Sequence, residues 1–113
     1  YKYVYIDFDE TIISNGKVHE RVMAFLYQCK NNKIDLILIT KHTHDLKKTL
    51  QEYSIATNLF KKIIHISEKE NKWEYINPNN AIFIDNYWID RYQVKEKLGI
   101  PVFDVDAIEC LLK

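Results

Sequence analysis

Apolar positions fall along this chain in two rhythms. One is a series of short, nearly unbroken runs: Tyr3-Val4-Tyr5-Ile6, Ile34-Asp35-Leu36-Ile37-Leu38-Ile39, Lys62-Ile63-Ile64-His65-Ile66, Ala81-Ile82-Phe83-Ile84 and Val102-Phe103. Rich in β-branched and aromatic residues, with no face reserved for water, they predict strands buried on both sides. The other rhythm is helical. Val22, Phe25, Leu26 and Cys29 make one stripe and predict a helix over 19–31. Leu46, Leu50 and Tyr53 predict a second helix over about 43–53. A third is predicted over 87–98, with Gly99 as its stop and Pro101 just beyond.

The intervals complete the outline. Asn15-Gly16 predicts a tight turn and a small hairpin or flap after the first strand. Polar residues 67–71 lead into a short helix through Trp73 and Ile76, broken by Asn77-Pro78-Asn79-Asn80. Asp106 and Glu109 have capping-box spacing, so a last helix is expected from Asp106 to Leu112. Strands alternating with helices imply an α/β chain with a parallel sheet of about five strands, covered on both faces in a three-layer, Rossmann-like arrangement.

Where the apolar runs stop, chemistry begins. The first ends in Asp7-Phe8-Asp9-Glu10-Thr11, the second in Thr40, the fourth in Asp85. Parallel strands share one carboxyl edge, so these residues should converge on one rim, where open α/β sheets bind ligands. Carboxylates two residues apart on an extended chain repel unless a cation or a proton holds them. Asp7 and Asp9 therefore point to a divalent cation, and a polar turn closing a strand is the plainer reading.

Composition narrows the classes. At 113 residues the chain is one domain, 1–113, able to bury a core without staples. Lys+Arg and Asp+Glu both number 16, which argues against a strongly basic nucleic-acid binder. Cys29 and Cys110 are far apart and lack metal spacing, which fits free thiols in a reducing, cytoplasmic setting. No apolar run reaches the roughly 18 residues a membrane span needs. The chain opens on Tyr1 rather than Met, which fits either a trimmed chain or a domain cut from a longer polypeptide.

Taken in order, these motifs resemble the haloacid dehalogenase-like superfamily of aspartate-nucleophile phosphatases. Asp7-Phe8-Asp9-Glu10-Thr11 is similar to the family's Asp-x-Asp-x-Thr. Leu36-Ile37-Leu38-Ile39-Thr40 is similar to its strand ending in Thr or Ser, and Ile82-Phe83-Ile84-Asp85 with Asp90 to its acidic fourth motif. The family's lysine matches Lys72 better than Lys69, which remains the alternative. Glu10 departs from the glycine that many members carry. The likeness covers Tyr3 to about Val105.

The resemblance implies a Mg²⁺-dependent phosphatase. Asp7 would be the nucleophile and Asp9 the general acid and base. Thr40 would donate a hydrogen bond to the phosphoryl group, and Lys72 would neutralise charge. Mg²⁺ would be held by the Asp7 carboxylate, the Asp9 carbonyl and Asp85, with Asp90 behind them orienting a metal-bound water or Lys72. A solvated helix residue is the plainer reading of Asp90. His42 and His44 read as polar loop residues, with a rim contact or an H-x-H metal pair as alternatives. Trp73, Tyr87 and Trp88 read as core, with stacking surface near the rim as the alternative.

Members of the family often carry a cap domain after the first motif or after the third strand. Here about six and about fifteen residues fill those gaps, too few for a domain. That resembles the capless subgroup, which implies a large or macromolecular phosphorylated substrate, or an oligomer or fused domain serving as lid. The competing reading is a catalytically weak, receiver-like phosphate-binding domain that regulates a larger protein. Receiver domains phosphorylate an Asp ending the third strand, and here that strand ends in His65-Ile66-Ser67.

Overall fold

The computed structural model describes all 113 residues. Five strands form one parallel sheet: β1 (Tyr3–Ile6), β4 (Asp35–Thr40), β5 (Lys62–His65), β6 (Ala81–Ile84) and β7 (Val102–Phe103). Their order is β5-β4-β1-β6-β7. The chain winds from β1 outward through β4 to β5, then returns to the other side of β1 for β6 and β7. The winding reverses at β1, and in open α/β sheets that reversal opens a crevice at the strand ends. Two further strands, β2 (Ile13–Ser14) and β3 (Lys17–Val18), make an antiparallel hairpin about Asn15-Gly16.

Side chains alternate between the two faces of the sheet because the strand period is two. Val4, Ile6, Leu36, Leu38, Ile82 and Ile84 join one core with Val22, Phe25, Leu26 and Cys29 of α1 (Glu20–Asn31), Leu46 and Leu50 of α2 (Leu46–Glu52) and Ile108 of α4 (Ile108–Leu111). Tyr5, Ile37, Ile39, Ala81 and Phe83 join the other, with Val94 of α3 (Trp88–Leu98) and Ile76. Helical elements thus lie on both faces, as the uninterrupted apolar strands require.

Several boundaries differ from expectation, each for a local reason. The second helix begins at Leu46, not near 43, because Asp45 takes an extended backbone and accepts from the Lys48 N–H as cap. The segment Lys72–Tyr75 is a single 3₁₀ turn. The last helix is not capped by Asp106: the Asp104 carboxylate accepts from the Val105 N–H, opening a 3₁₀ turn over Val105–Ala107 before Ile108–Leu111. Gly99 ends α3 as expected, at φ +69°, a conformation with little cost only for glycine.

Register then positions the chemistry. Ile6 pairs with Ile84 on one side and with Leu38 on the other. Asp7 and Asp85, the next residues of adjacent strands, emerge side by side, with Thr40 ending the strand on Asp7's far flank. The Asp7 N–H donates to the Ile84 carbonyl at 3.0 Å and the Asp85 N–H to the Phe103 carbonyl at 3.1 Å, which ties these strand ends together.

Phe25 is fully buried where α1 meets the sheet. Phe25→Ala should lower unfolding free energy by about 3–5 kcal/mol in urea titrations with m unchanged. A loss below about 1 kcal/mol would mean that α1 does not depend on this contact.

Candidate active site

At the carboxyl edge of the sheet three of the expected carboxylates, Asp7, Asp85 and Asp90, surround the ammonium of a fourth expected residue, Lys72. Lys72 is 3% exposed and lies 2.9 Å from Asp7 Oδ1, 2.7 Å from Asp85 Oδ2 and 3.5 Å from Asp90 Oδ2. It reaches them from the 3₁₀ turn between β5 and β6, with its ammonium 5.9 Å from the centroid of the Phe83 ring. Lys69 is exposed, so of the two candidate lysines Lys72 is the one that meets the carboxylates. Asp90 is buried in the first turn of α3 and is no solvated helix residue.

Burial and charge crowding strain this group. Desolvation, then the neighbouring Asp7 charge, pushes the Asp85 carboxyl up to about 7, against the pull of Lys72. Asp7 is raised as well, by burial first, while Lys72 opposes the shift and Asp9 adds to it. Burial works against the charge of Lys72, yet the Asp7 and Asp85 carboxylates outweigh it and raise its pKa. Three carboxylates share one ammonium, so the cluster is two charges short of neutrality when all are ionised. That deficit leaves room for a cation.

The backbone between Asp7 and Thr11 is wound tightly. The Phe8 carbonyl accepts from the N–H groups of Thr11, Ile12 and Ile13 at 3.2, 2.9 and 3.2 Å. The turn puts Glu10 at φ +56°. Glycine suits that conformation and an L side chain does not, which makes Glu10 a strained position. The buried Thr11 hydroxyl accepts from the Asn86 N–H at 3.2 Å and so fastens the turn to the end of β6. Thr40 is also fully buried, and its oxygen accepts from the His42 N–H at 3.1 Å, leaving its own hydroxyl proton to donate elsewhere.

Asp9 stands apart from the ammonium cluster. Its carboxylate is met by His42 Nδ1, 2.9 Å from Oδ1 and 2.8 Å from Oδ2. The His42 side chain is 8% exposed, so it is not the polar loop residue the sequence suggested. The His42 and His44 rings meet edge to face at 5.7 Å, and both nitrogens of His42 are engaged, the second at 3.2 Å from Thr49 Oγ1. No group of three or more His, Cys, Asp or Glu side chains closes round a common point as a metal cage.

Other readings change too. Tyr87 and Trp88 are not core: they are 49% and 63% exposed at the start of α3 beside the site. Trp73 is half-buried, with the Lys97 ammonium 5.4 Å from its ring centroid. Arg91 escaped the sequence reading. It donates to the Asp85 carbonyl at 2.9 Å and lies 3.6 Å from Asp104, bracing the end of β6. His19 caps α1 by accepting from the Val22 N–H. The buried Cys29 thiol is pushed up to about 12 by desolvation, which rules it out as a nucleophile near neutrality.

No family model matches the sequence, and no curated protein matches it. Among solved structures, the chain is similar to the crystal structure of an uncharacterized protein from Corynebacterium glutamicum, with a TM-score of 0.68 and 11% identity over 98% of this chain and 94% of that one. At that identity the likeness speaks for the α/β fold alone.

The raised carboxyls have a sign that can be checked. Asp85 binds its proton more tightly folded, at about 7, than unfolded, at 3.8, so its contribution to stability is full below the unfolded value and is lost as pH rises through about 7. Without divalent cations, Tm should therefore fall as pH is raised from about 5 to 8. Asp85→Asn should flatten that slope and leave Tm at the upper end no lower than in the wild type. A flat wild-type profile in calorimetry would refute the crowding.

Proposed function

We propose that this chain is a Mg²⁺-dependent phosphatase of the haloacid dehalogenase-like type, with a Rossmann-like core and no cap domain. It hydrolyses phosphate monoesters through an aspartyl-phosphate on Asp7. The observation that carries this reading is the buried Lys72 shared by Asp7 and Asp85 at the ends of adjacent parallel strands. A structural ion pair needs one partner, whereas an excess of buried carboxylate on a binding rim is costly unless function retains it.

The residues fit Mg²⁺. This ion binds through one or two carboxylates, keeps several waters and completes its shell with substrate phosphate, so it needs no protein cage. Asp7, Asp85 and the Asp9 carbonyl would hold it, and it would supply the charge that lets an anionic nucleophile approach an anionic ester. The protein's own groups divide the remaining work. The Asp7 carboxylate attacks phosphorus and the bond to the leaving oxygen breaks. Asp9 gives that oxygen a proton. Asp9 then takes a proton from the water that attacks phosphorus, releasing phosphate and free Asp7. Lys72 offsets negative charge on the phosphoryl oxygens, the Thr40 hydroxyl donates to one of them, and Asp90 holds Lys72 in place.

The connections around this rim are short: the hairpin β2–β3 on one side and the Lys72–Tyr75 turn on the other. Such an entrance suits a phosphate carried on a large or macromolecular substrate, or a second subunit or domain serving as lid. No helix is long and apolar enough to cross a membrane.

Hydrolysis of p-nitrophenyl phosphate should require Mg²⁺ and should fall by at least about 10⁴-fold in Asp7→Asn. Lys72→Ala should cost about 10²–10³-fold in kcat, as loss of a transition-state donor does, and Lys69→Ala nothing measurable. Activity surviving in Asp7→Asn would remove Asp7 as nucleophile. A stable phosphorylated Asp7 without turnover would favour the phosphate-binding regulatory domain instead.

A further inference from the structure

We propose that His42 is the positioning residue for Asp9, fixing its carboxylate in the orientation from which it exchanges a proton with the leaving oxygen. The inference rests on the reading of Asp9 as general acid and base. It begins from a mismatch in mobility. The Asp9 side chain is 53% exposed, on a loop, and by itself would be free to turn. General acid–base work needs the group held to about 0.5 Å.

His42 is held as Asp9 is not. Its backbone N–H donates to Thr40 Oγ1, and its carbonyl accepts from His65 Nε2. Its ring packs edge-on against Phe8 at 5.4 Å on one side and meets His44 on another. Thr49 Oγ1 engages Nε2, and Thr49 donates in turn to the Asp45 carbonyl at 2.9 Å at the start of α2. Two backbone hydrogen bonds and three ring contacts therefore hold His42 in place. Its Nδ1–H is left facing both Asp9 oxygens at nearly equal distance. A single donor centred between the two oxygens fixes the direction of the Cβ–Cγ bond, and so where the carboxylate points.

The placement does a second thing. Asp9 lies between the cavity that holds Asp7, Lys72 and Asp85 and a neighbouring cleft of about 500 Å³ walled by His42, His44, Lys48 and Tyr53. An untethered Asp9 could swing towards the first cavity and compete for the cation. Held by His42, it faces the cleft, where a leaving group has room.

The test exploits leaving-group chemistry. A dinitrophenolate departs without a proton, an alkoxide does not. His42→Ala should cut kcat/KM, which reports aspartyl-phosphate formation and not its shared hydrolysis, by about 10²-fold or more for glycerol 2-phosphate and by less than about 10-fold for 2,4-dinitrophenyl phosphate. His42→Asn, whose amide replaces Nδ1–H, should recover at least about 10-fold on the alkyl ester. Equal losses on both esters, or Asn no better than Ala, would overturn the role. Crystal structures of wild type and His42→Ala provide a readout without activity. Asp9 should hold one side-chain conformation in the first and several in the second, and a single unchanged conformation in both refutes the proposal. Should the wild type hydrolyse neither ester, the phosphatase reading fails, and these structures alone decide whether His42 positions Asp9.

Discussion

Lys72 is the point on which this architecture turns. A single ammonium, almost wholly withdrawn from water, stands between carboxylates from β1, β6 and α3. Remove it and Asp7 and Asp85 are left as buried like charges a few ångströms from each other, a situation proteins resolve by protonation or unfolding. Its position depends on a 3₁₀ turn of four residues, too short to cover the sheet as a helix would. The brevity of that turn lets the side chain reach over the strand ends. A long crossover helix would carry its residues along the sheet face.

Charge and topology are linked through register. Because β1 lies between β4 and β6 with Ile6 opposite both Leu38 and Ile84, three strand ends deliver their polar residues at nearly one level. A slip of one residue in β6 would turn Asp85 to the opposite face and bring Asn86 to the rim, since successive side chains alternate. The two apolar cores, one on each face, oppose such a slip, because Ile82 and Ile84 would exchange environments with Ala81 and Phe83. The packing that makes the sheet unique therefore also aligns the carboxylates.

Much of this could be read from residue order, and the gaps have physical causes. The apolar runs of the strands are too short and too continuous for anything but a doubly covered sheet, and Asp7, Thr40 and Asp85 mark their ends. Lys72 over Lys69 was legible only as a resemblance; that it is buried among acids is a fact of tertiary structure. His42 lay beyond the reach of pattern. Its partner Asp9 is 33 residues away, and its carbonyl is held by His65 from a third strand. Nothing local distinguishes it from a solvated loop histidine. Tyr87 and Trp88 misled in the opposite sense: helical spacing suggests a buried stripe, but α3 turns Asp90 and Val94 inward and leaves those rings outside.

The most informative tension is between stability and charge. Nothing in the packing requires Asp85 to be acidic: its backbone already completes the strand through Phe103, and its carbonyl is braced by Arg91. An asparagine there could keep the 3.0 Å bond from the Tyr87 N–H while removing one buried charge. The same holds for Asp7, whose backbone is tied to Ile84. A fold selected for stability alone would relieve this crowding, as buried ion clusters replaced by neutral groups commonly do. Such crowding, a lysine beside more acid than it can neutralise, fits the proposed function, in which a dianionic phosphate ester arriving with its cation would bring the positive charge the cluster lacks.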